Sequence, residues 1–395
     1  MAEVSVPEVV LRRAGADAVR HGHPWVWRSA IARSDEGIEA GAEVQLMDER
    51  REAVGRAIFD PASPICARVW TLGRDKIDDS LIRERIARAL AVRAWSFDHT
   101  TTAYRLVHGE GDRMPGFVVD RYAHVAVLRI DGDAALAHAA RIGRLLRAPL
   151  EAIGVTALVE RGGEKGQPRD RSLHFGESAP DKVEVREHGV PFVVDLLRGQ
   201  KTGAFLDQRE SRRRVGELVR STGAKRVLNL FSYAGGFSLH AALAGAIATS
   251  VYIAAQAHAT AQASFAAAGL EARQHEFVAA DAFAFLADAA KRARTWDLVI
   301  SDPPSFAPNE KSVPRALAAY RKLHRACADV LAKGGVFCAS SCSSHVGADA
   351  FATTLDDAAL ARTDLRLAEM HGPPVDHPSL PAWPEGRYLK FAVLA

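Results

Sequence analysis

The segment VLNLFSYAGGF, residues 227 to 237, constrains the fold of this 395-residue chain more than any other stretch. Its apolar and β-branched start predicts a buried strand, and the two adjacent glycines before an alanine-rich run predict a tight turn and then a helix. Open α/β sheets use such a unit to bring the backbone close to a ligand at the carboxyl end of the strand. The spacing differs from G-x-G-x-x-G, so the segment carries no dinucleotide fingerprint.

Strand and helix candidates alternate through the last half of the chain. This alternation predicts an α/β domain with a mostly parallel sheet and covering helices. The terminal segment RYLKFAVLA predicts an added edge strand. The other predicted strands cover residues 226–230, 249–253, 276–279, 297–301 and 336–341.

Two smaller domains are expected before this α/β domain. Residues 1–73 combine short strands with turn residues and predict a small β domain. Residues 74–182 combine helices with strands and predict a central α+β domain, so the α/β domain covers residues 183–395. Trp25 and Trp27, in the segment HPWVW, are expected to be core anchors rather than a base-stacking platform.

Charge and cysteine usage exclude several classes of protein. The net charge of +3 does not require a nucleic-acid partner, and the basic run RESRRR at 209–214 predicts a solvated helix face or, alternatively, a phosphate-contacting one. Four cysteines without a C-x-x-C pair argue against a zinc centre, and their small number fits a reducing cytoplasm. No signal-peptide pattern and no run of 18 apolar residues is present. We therefore expect a cytoplasmic protein without a metal or membrane partner.

Two candidate reactive side chains follow strands of the predicted sheet. Asp302 comes directly after the strand WDLVI, and the two prolines behind it fix the backbone, so its carboxylate can be held against the donor edge of a flat ring. Cys342 follows the next predicted strand, and its thiolate is a potent nucleophile when a neighbour stabilises it. Cys338 lies inside that apolar strand and Cys327 in a helix, so both are expected to be buried and inert. The alternatives are that Asp302 only forms a turn at the end of a strand and that Cys342 has a purely structural role.

These segments together resemble a known family of enzymes. The segments that carry the resemblance span nearly the whole chain: HPWVW, GDRMPGFVVDRY, GQKTGAFLDQRESRR, LNLFSYAGGF, SDPPSF and SSCSS. The chain resembles the class I S-adenosylmethionine-dependent methyltransferases that act on cytosine C5 of large-subunit ribosomal RNA. The resemblance implies a Rossmann-like methyltransferase domain preceded by an RNA-binding PUA domain and a central domain, with S-adenosylmethionine as cofactor and ribosomal RNA as partner. The oligomeric state stays open, with a homodimer as one option.

The resemblance also implies roles for individual residues. Cys342 would be the nucleophile, and Asp302 would bridge the cofactor and the target base. Asp281, in AADAF, would meet the adenine of the cofactor. The other residues that would hold the cofactor are Phe205, Gln208, Arg209, Asn229, Phe231, Ser232, Tyr233 and Gly235.

The implied chemistry is coherent for a cytosine. C5 is a poor nucleophile toward a sulfonium methyl group, and addition of a thiolate at C6 makes C5 enamine-like. The base must first leave any stack, so an exposed or loosened RNA segment is the expected target. Two other functions stay open. One is an amino-group methyltransferase, although Ser305 stands where such enzymes place an aromatic residue, and the other is a non-catalytic RNA-binding protein.

Tyr252 departs from the family pattern. The family places an acidic residue at the end of the second strand of the sheet, where it accepts hydrogen bonds from the ribose hydroxyls. Here that place holds Tyr252, and no Asp or Glu occurs from Leu218 to Leu270. A charge-assisted hydrogen bond contributes roughly 1.5–3 kcal/mol, so we expect cofactor affinity to be lower by about tenfold to a hundredfold. Tyr252 remains a candidate cofactor-binding residue through its hydroxyl.

Overall fold

The computed structural model describes residues 6–161, 171–356 and 362–395. These residues form two compact units. The first unit comprises the described residues of Met1–Asp181, Leu196–Arg198 and Val375–Gly386. The second unit comprises the described residues of Lys182–Asp195, Gly199–Pro374 and Arg387–Ala395. No helix in these ranges is long and apolar enough to cross a membrane.

A six-stranded sheet opens the first unit. Its elements are β1 (Glu8–Leu11), α1 (Arg13–Arg20), β2 (Trp25–Trp27), β3 (Ile31–Ser34), β4 (Glu43–Met47), β5 (Ala53–Phe59) and β6 (Ile65–Leu72). The strand order is β2-β6-β5-β4-β1-β3, and the neighbours are antiparallel except for β1 and β4. Apolar side chains from several strands and α1, among them Val9, Val19 and Leu46, are buried together and form one core.

A second sheet in the same unit packs against helices. Its elements are α2 (Asp79–Ser96), β7 (Ala103–His108), β8 (Phe117–Tyr122), β9 (Val125–Ile130), α3 (Asp133–Leu136), α4 (Ala139–Ala152), β10 (Ala157–Arg161) and β11 (Arg171–Phe175), with the strand order β11-β10-β9-β8-β7. Helix α2 begins where the Asp78 carboxylate accepts a hydrogen bond from the backbone N–H of Leu81 at 2.9 Å. Ile82, Ile86 and Ala89 recur at helical spacing and are buried in the core.

Two ion pairs between arginine and aspartate side chains are buried in the part of the first unit that contains this second sheet. The Arg93 guanidinium on α2 donates two hydrogen bonds to the Asp112 carboxylate, at 2.8 and 2.7 Å. Arg105 donates two more to Asp120, at 2.8 and 3.0 Å. Bidentate geometry gives the strongest form of this interaction, so these pairs fix the register of α2 and β7 within the unit.

A late segment of the chain, Val375–Gly386, also belongs to the first unit. The Asp376 carboxylate accepts from the backbone N–H of Arg105 at 2.9 Å, and the Asp376 carbonyl accepts from Arg93 at 2.8 Å. The sequence prediction assigned this segment to the α/β domain with its chain neighbours. The difference arises because its hydrogen bonds reach partners more than 250 residues earlier, which local patterns do not reveal.

The second unit contains a hairpin and a seven-stranded sheet. The hairpin is β12 (Lys182–Glu187) and β13 (Val190–Asp195). The sheet and its helices are α5 (Arg209–Thr222), β14 (Arg226–Leu230), α6 (Gly236–Leu243), β15 (Ile247–Tyr252), α7 (Ala255–Ala267), β16 (Glu276–Ala279), α8 (Ala282–Lys291), β17 (Trp296–Ser301), α9 (Val313–Asp329), β18 (Leu331–Ser341), α10 (Ala348–Ala352), β19 (Leu367–His371) and β20 (Lys390–Leu394). The order is β16-β15-β14-β17-β18-β20-β19. The first five strands are parallel to one another, and only β20 runs in the opposite direction, since it pairs antiparallel with both β18 and β19. The mostly parallel α/β sheet is confirmed.

The terminal strand β20 is not an edge strand, as the sequence predicted, because it pairs with β18 on one side and β19 on the other. All five residues of β20 are buried. A continuous apolar run suits an interior strand, whereas β19, with the sequence LAEMH, is more polar and largely exposed and forms the edge.

Three other predictions can be compared with the fold. Cys327 and Cys338 are fully buried in apolar cores, which confirms the expectation for both. Trp27 is 40% exposed, so its prediction as a core anchor is wrong. In the basic run, Arg209 and Arg212 are buried whereas Arg213 is exposed, so α5 presents only part of that run to solvent. Arg212 donates to the Glu187 carboxylate, and this ion pair explains its burial.

Candidate active site

A cavity of about 450 Å³ lies within the second unit, at the carboxyl ends of the parallel strands. Each of the five parallel strands ends at this edge and places the residues that follow it on the cavity wall. The residues contributed in this way are Phe231 after β14, Tyr252 at the end of β15, Asp281 after β16, Asp302 after β17 and Cys342 after β18. This is the edge at which open α/β sheets bind ligands, and the volume falls in the range of small-molecule sites.

The turn after β14 has an unusual backbone. Phe231 and Tyr233 adopt positive φ angles of 58° and 46°, which non-glycine residues rarely do. Gly235 follows with φ 74°, and a Cβ at this position would lie 2.8 Å from Cβ of Ala261 on α7. Strain of this kind persists only when the surrounding structure enforces it, and it clusters at functional sites. The turn thereby presents Ser232 to the cavity, where its buried hydroxyl has no partner among the described residues.

A second segment, residues 199–204, is hydrogen-bonded to this turn. The backbone N–H of Gln200 donates to the Tyr233 hydroxyl at 2.7 Å, and the Gln200 side chain donates to the Tyr252 hydroxyl at 2.8 Å. The Tyr233 hydroxyl in turn donates to the Gly203 carbonyl at 3.2 Å. The Tyr233 ring also meets the rings of Phe205 and Tyr252 edge to face. Tyr252, which stands in the place of the family's acidic residue, is thus held in the cavity wall.

Asp302 is oriented by an amide. The Gln208 side chain donates one hydrogen bond to Asp302 at 2.9 Å and another to the Ser340 hydroxyl at 2.8 Å. Burial, with a smaller contribution from the nearby Asp207 carboxylate, raises the pKa of the Asp302 carboxyl to about 6 against the lowering effect of Ser340 and Lys201. A carboxyl group with this pKa is available in both protonation states near neutral pH.

Cys342 lies on the cavity wall with a partly exposed side chain, whereas Cys66, Cys327 and Cys338 are buried. Its sulfur is 4.0 Å from the Pro303 carbonyl oxygen of the D-P-P segment. Burial raises the pKa of the Cys342 thiol to about 11, and the Asp302 carboxylate contributes in the same direction. The free thiol is therefore neutral near pH 7, and its activation requires added positive charge or loss of the charge on Asp302.

The cavity brings together most of the predicted site residues. Nine line it, namely Phe205, Gln208, Phe231, Ser232, Tyr233, Tyr252, Asp281, Asp302 and Cys342. Three others, Arg209, Asn229 and Gly235, lie behind the wall. Arg209 is fully buried beside Glu210, and Asn229 donates to the buried Ser238 hydroxyl at 2.9 Å. Gly235 shapes the turn through its backbone, as described above.

Sequence reasoning missed two charged groups at the site. Lys201 pairs with Asp207 at 2.9 Å, and both residues line the cavity. The Tyr388 hydroxyl also donates to Asp207, at 2.8 Å. Both charged residues lie in GQKTGAFLDQRESRR, one of the segments that carry the family resemblance, but the sequence assigned neither of them a role. Lys390, discussed below, was also missed, although a single lysine inside an apolar terminal strand was a visible signal.

Comparisons with known proteins agree with this description. Residues 9–72 match the PUA-like domain family, and residues 169–385 match the S-adenosylmethionine-dependent methyltransferase family. A ribosomal RNA large subunit methyltransferase of Deinococcus radiodurans is 38% identical over 99% of this chain and 98% of its own length. Ribosomal RNA large subunit methyltransferase I of Klebsiella pneumoniae is 32% identical over 99% and 98%.

The fold agrees with solved structures as well. A SAM-dependent methyltransferase from Streptococcus mutans superimposes with a TM-score of 0.85 at 22% identity, over 98% of this chain and 99% of that one. These findings confirm the predicted class I methyltransferase fold with an N-terminal PUA-like domain and its dependence on S-adenosylmethionine. The chain belongs to the S-adenosylmethionine-dependent methyltransferase family.

Proposed function

We propose that this protein transfers a methyl group from S-adenosylmethionine to C5 of a cytosine in large-subunit ribosomal RNA, through a transient bond to Cys342. The observation that carries the proposal is that Cys342 and Asp302 line the same cavity as the strained turn after β14. The names of the relatives support a large-subunit ribosomal RNA substrate. Such a substrate is found in the cytoplasm, where we place the protein.

The residues of the cavity fit the cofactor. The buried hydroxyl of Ser232 has no partner within the described ranges, which suits a polar end of a ligand. Phe205, Phe231 and Tyr252 offer aromatic surface for the adenosine part, and Asp281 stands at the end of β16, where the adenine is expected. When bound, S-adenosylmethionine supplies an electrophilic methyl group on a positively charged sulfur.

The neutral carboxyl group of Asp302 matches the N3–N4 edge of cytosine. In its neutral form the carboxyl group has one donor and one acceptor. Cytosine presents the acceptor N3 beside the donor N4 amino group, so both hydrogen bonds form at once. The pKa of about 6 makes this neutral form accessible near physiological pH.

Cys342 provides the nucleophile for the base. Its thiolate forms a bond to C6, the electron pair of the C5–C6 double bond moves into the ring, and N3 takes the proton of Asp302. C5 then acts as the nucleophile that accepts the methyl group. The C5 proton then passes to solvent water, and the C6–sulfur bond breaks as the C5–C6 double bond forms again. N3 returns its proton to Asp302, and the thiolate is released.

The identity of the methylated nucleoside tests this proposal. Large-subunit ribosomal RNA transcripts are incubated with the protein and methyl-labelled cofactor, and the nucleosides are separated after digestion. We expect label in 5-methylcytidine, with none for a Cys342→Ala variant. Label in an N-methylated nucleoside that persists in Cys342→Ala would replace the proposal with the amino-group alternative. RNA binding without label would favour the binding-only alternative.

A further inference from the structure

Lys390 is buried in the second unit although no carboxylate in the described part of the chain pairs with it. Its side chain is only 3% exposed. The ammonium group donates to the carbonyl oxygens of Ser343 at 2.6 Å and Tyr388 at 2.8 Å. Among the described residues, it makes no ion pair with an Asp or Glu. A buried cation without a counter-ion is costly, so its presence calls for a function.

The sheet register explains where this charge lies. Lys390 on β20 faces Ser341 on β18 across the antiparallel ladder. Cys342 comes directly after Ser341, and Ser343, whose carbonyl accepts from Lys390, comes directly after Cys342. The ammonium group of Lys390 therefore binds the backbone at Ser343, the residue that follows Cys342.

Other hydrogen bonds fix the same turn. The Ser343 hydroxyl lies 2.9 Å from the Ser305 hydroxyl and 3.2 Å from the hydroxyl of Tyr320 on α9. The Tyr320 hydroxyl also donates to Ser341 at 2.9 Å. Burial raises the pKa of Tyr320, so this phenol is neutral and adds no charge. These hydrogen bonds anchor the turn that carries Cys342, and the ammonium group of Lys390 binds the same turn at Ser343.

We propose that Lys390 is a positioning residue for Cys342, whose ammonium group holds the turn at Ser343 and stabilises the thiolate form of the cysteine. The inference rests on the proposed function of Cys342 as the nucleophile. It deepens that function because it assigns the thiolate a counter-charge within the protein itself.

The other charged residues near the Cys342 thiol do not supply the positive charge that its thiolate needs. Asp302 and Asp207 face Cys342 and disfavour its thiolate, while Lys201 and Lys390 favour it. Lys201 already pairs with Asp207, so those two charges largely cancel at the thiol. Burial lowers the pKa of Lys390 to about 8, and Cys342 counteracts this lowering. The two groups therefore favour each other's charged forms.

The pH dependence of thiol alkylation tests the proposal without cofactor or RNA. Full-length protein is treated with iodoacetamide across a range of pH, and the rate at Cys342 is followed by mass spectrometry. The variants are Lys390→Gln, which keeps amide donors for the two carbonyls without the charge, and Lys390→Arg, which keeps the charge. Lys322→Met, at an exposed position on α9, serves as the control.

We expect Lys390→Gln to slow alkylation about threefold to tenfold at pH values below about 8, where the Lys390 ammonium group is charged. Lys390→Arg and Lys322→Met are expected to keep the profile of the unmodified protein. A Lys390→Gln profile equal to that of the unmodified protein would overturn the proposal, since it would show that the charge does not act on the sulfur. The two proposals are separable, because the proposed function fails on nucleoside identity and this one fails on the alkylation profile.

Discussion

In the first unit, Arg93 and Asp112 are buried together as a bidentate pair, whereas in the second unit Lys390 is buried and Asp302 largely buried without an ion pair in the described part of the chain. The guanidinium of Arg93 also donates to backbone carbonyls of Ala89, Arg105 and Asp376, so its donors are well satisfied. The first arrangement holds a unit together. The second leaves the ionisable side chains of Lys390 and Asp302 buried without an opposite charge, which disfavours their charged forms.

This contrast separates structural from chemical use of buried charge. A buried pair with all hydrogen bonds made fixes geometry but titrates little. A buried group without its counter-ion has a shifted pKa, as Asp302, Cys342 and Lys390 do. Shifted groups that converge on one cavity are typical of active sites. Substitutions at residues of both kinds test this distinction.

The largest effect is expected for Cys342→Ala. Removal of the nucleophile should reduce methyl transfer by at least about a thousandfold, as found for nucleophiles that act with a set of other residues. Its free energy of unfolding should change little, because the side chain is partly exposed and makes no strong hydrogen bond. Initial rates of methyl incorporation and urea unfolding measure the two quantities. Retained transfer would place Cys342 outside the chemistry.

Arg93→Ala should destabilise the first unit by about 3–5 kcal/mol, because it leaves the buried Asp112 carboxylate without its partner. Tryptophan fluorescence during urea unfolding reports on this unit, since five of the six tryptophans lie in it and only Trp296 lies in the second. Arg88→Ala, which removes an exposed pair with Glu84 on the same helix, is the control, with an expected change of about 0.5 kcal/mol or less. Equal effects of the two variants would contradict the structural role of the buried pair.

Tyr252→Asp should tighten binding of S-adenosylmethionine by about tenfold to a hundredfold, because it supplies a carboxylate for the ribose hydroxyls. Isothermal titration calorimetry measures the dissociation constants. Tyr252→Phe is the matched control, since it removes the hydroxyl that accepts from Gln200 without adding a charge. Equal affinities of Tyr252→Asp and the unmodified protein for S-adenosylmethionine would show that the tyrosine does not weaken cofactor binding.

Asp302→Asn should change the pH dependence of stability. Because the pKa of Asp302 is about 6 in the folded protein and near 3.8 in the unfolded chain, the folded state holds the proton more tightly. This carboxyl therefore removes stability as the pH rises from about 4 to about 6, and above that range Asp302→Asn should be more stable than the unmodified protein by about 1–2 kcal/mol.

Guanidinium unfolding at a series of pH values, followed by circular dichroism, measures this difference. Asp288→Asn, which changes an exposed carboxylate on α8, is the control and should show no such trend. A stability difference for Asp302→Asn that stays constant from pH 4 to pH 7 would mean that the pKa of Asp302 is not raised.

Local sequence patterns predicted the parallel core of the second unit well. The bounds of β14 and β16 match the prediction residue for residue, because apolar runs between turn residues specify a buried strand locally. The placement of β20 was wrong, since the choice of a neighbouring strand depends on β19, which the sequence did not reveal as a strand. The return of Val375–Gly386 to the first unit depends on Asp376 meeting Arg93 and Arg105, a long-range contact.

The sequence predicted those residues of the site that directly follow predicted strands. Asp302 and Cys342 follow strands, so topology alone brings them to one edge of the sheet. Arg209 and Asn229 carry conspicuous polar groups, yet they are turned into buried hydrogen bonds that only the packing of α5 and α6 decides. Lys390 acts from a strand paired antiparallel to β18, and that pairing is absent from any local pattern.

The central claim is that the sulfur of Cys342 bonds to the target base. RNA that carries 5-fluorocytidine tests it most directly, because fluorine at C5 blocks the final elimination and traps the adduct. With S-adenosylmethionine present, the account predicts a protein–RNA complex that survives denaturing electrophoresis and that Cys342→Ser abolishes. An adduct formed equally by Cys342→Ser, or 5-methylcytidine made from natural RNA with no adduct from the fluorinated RNA, would contradict it.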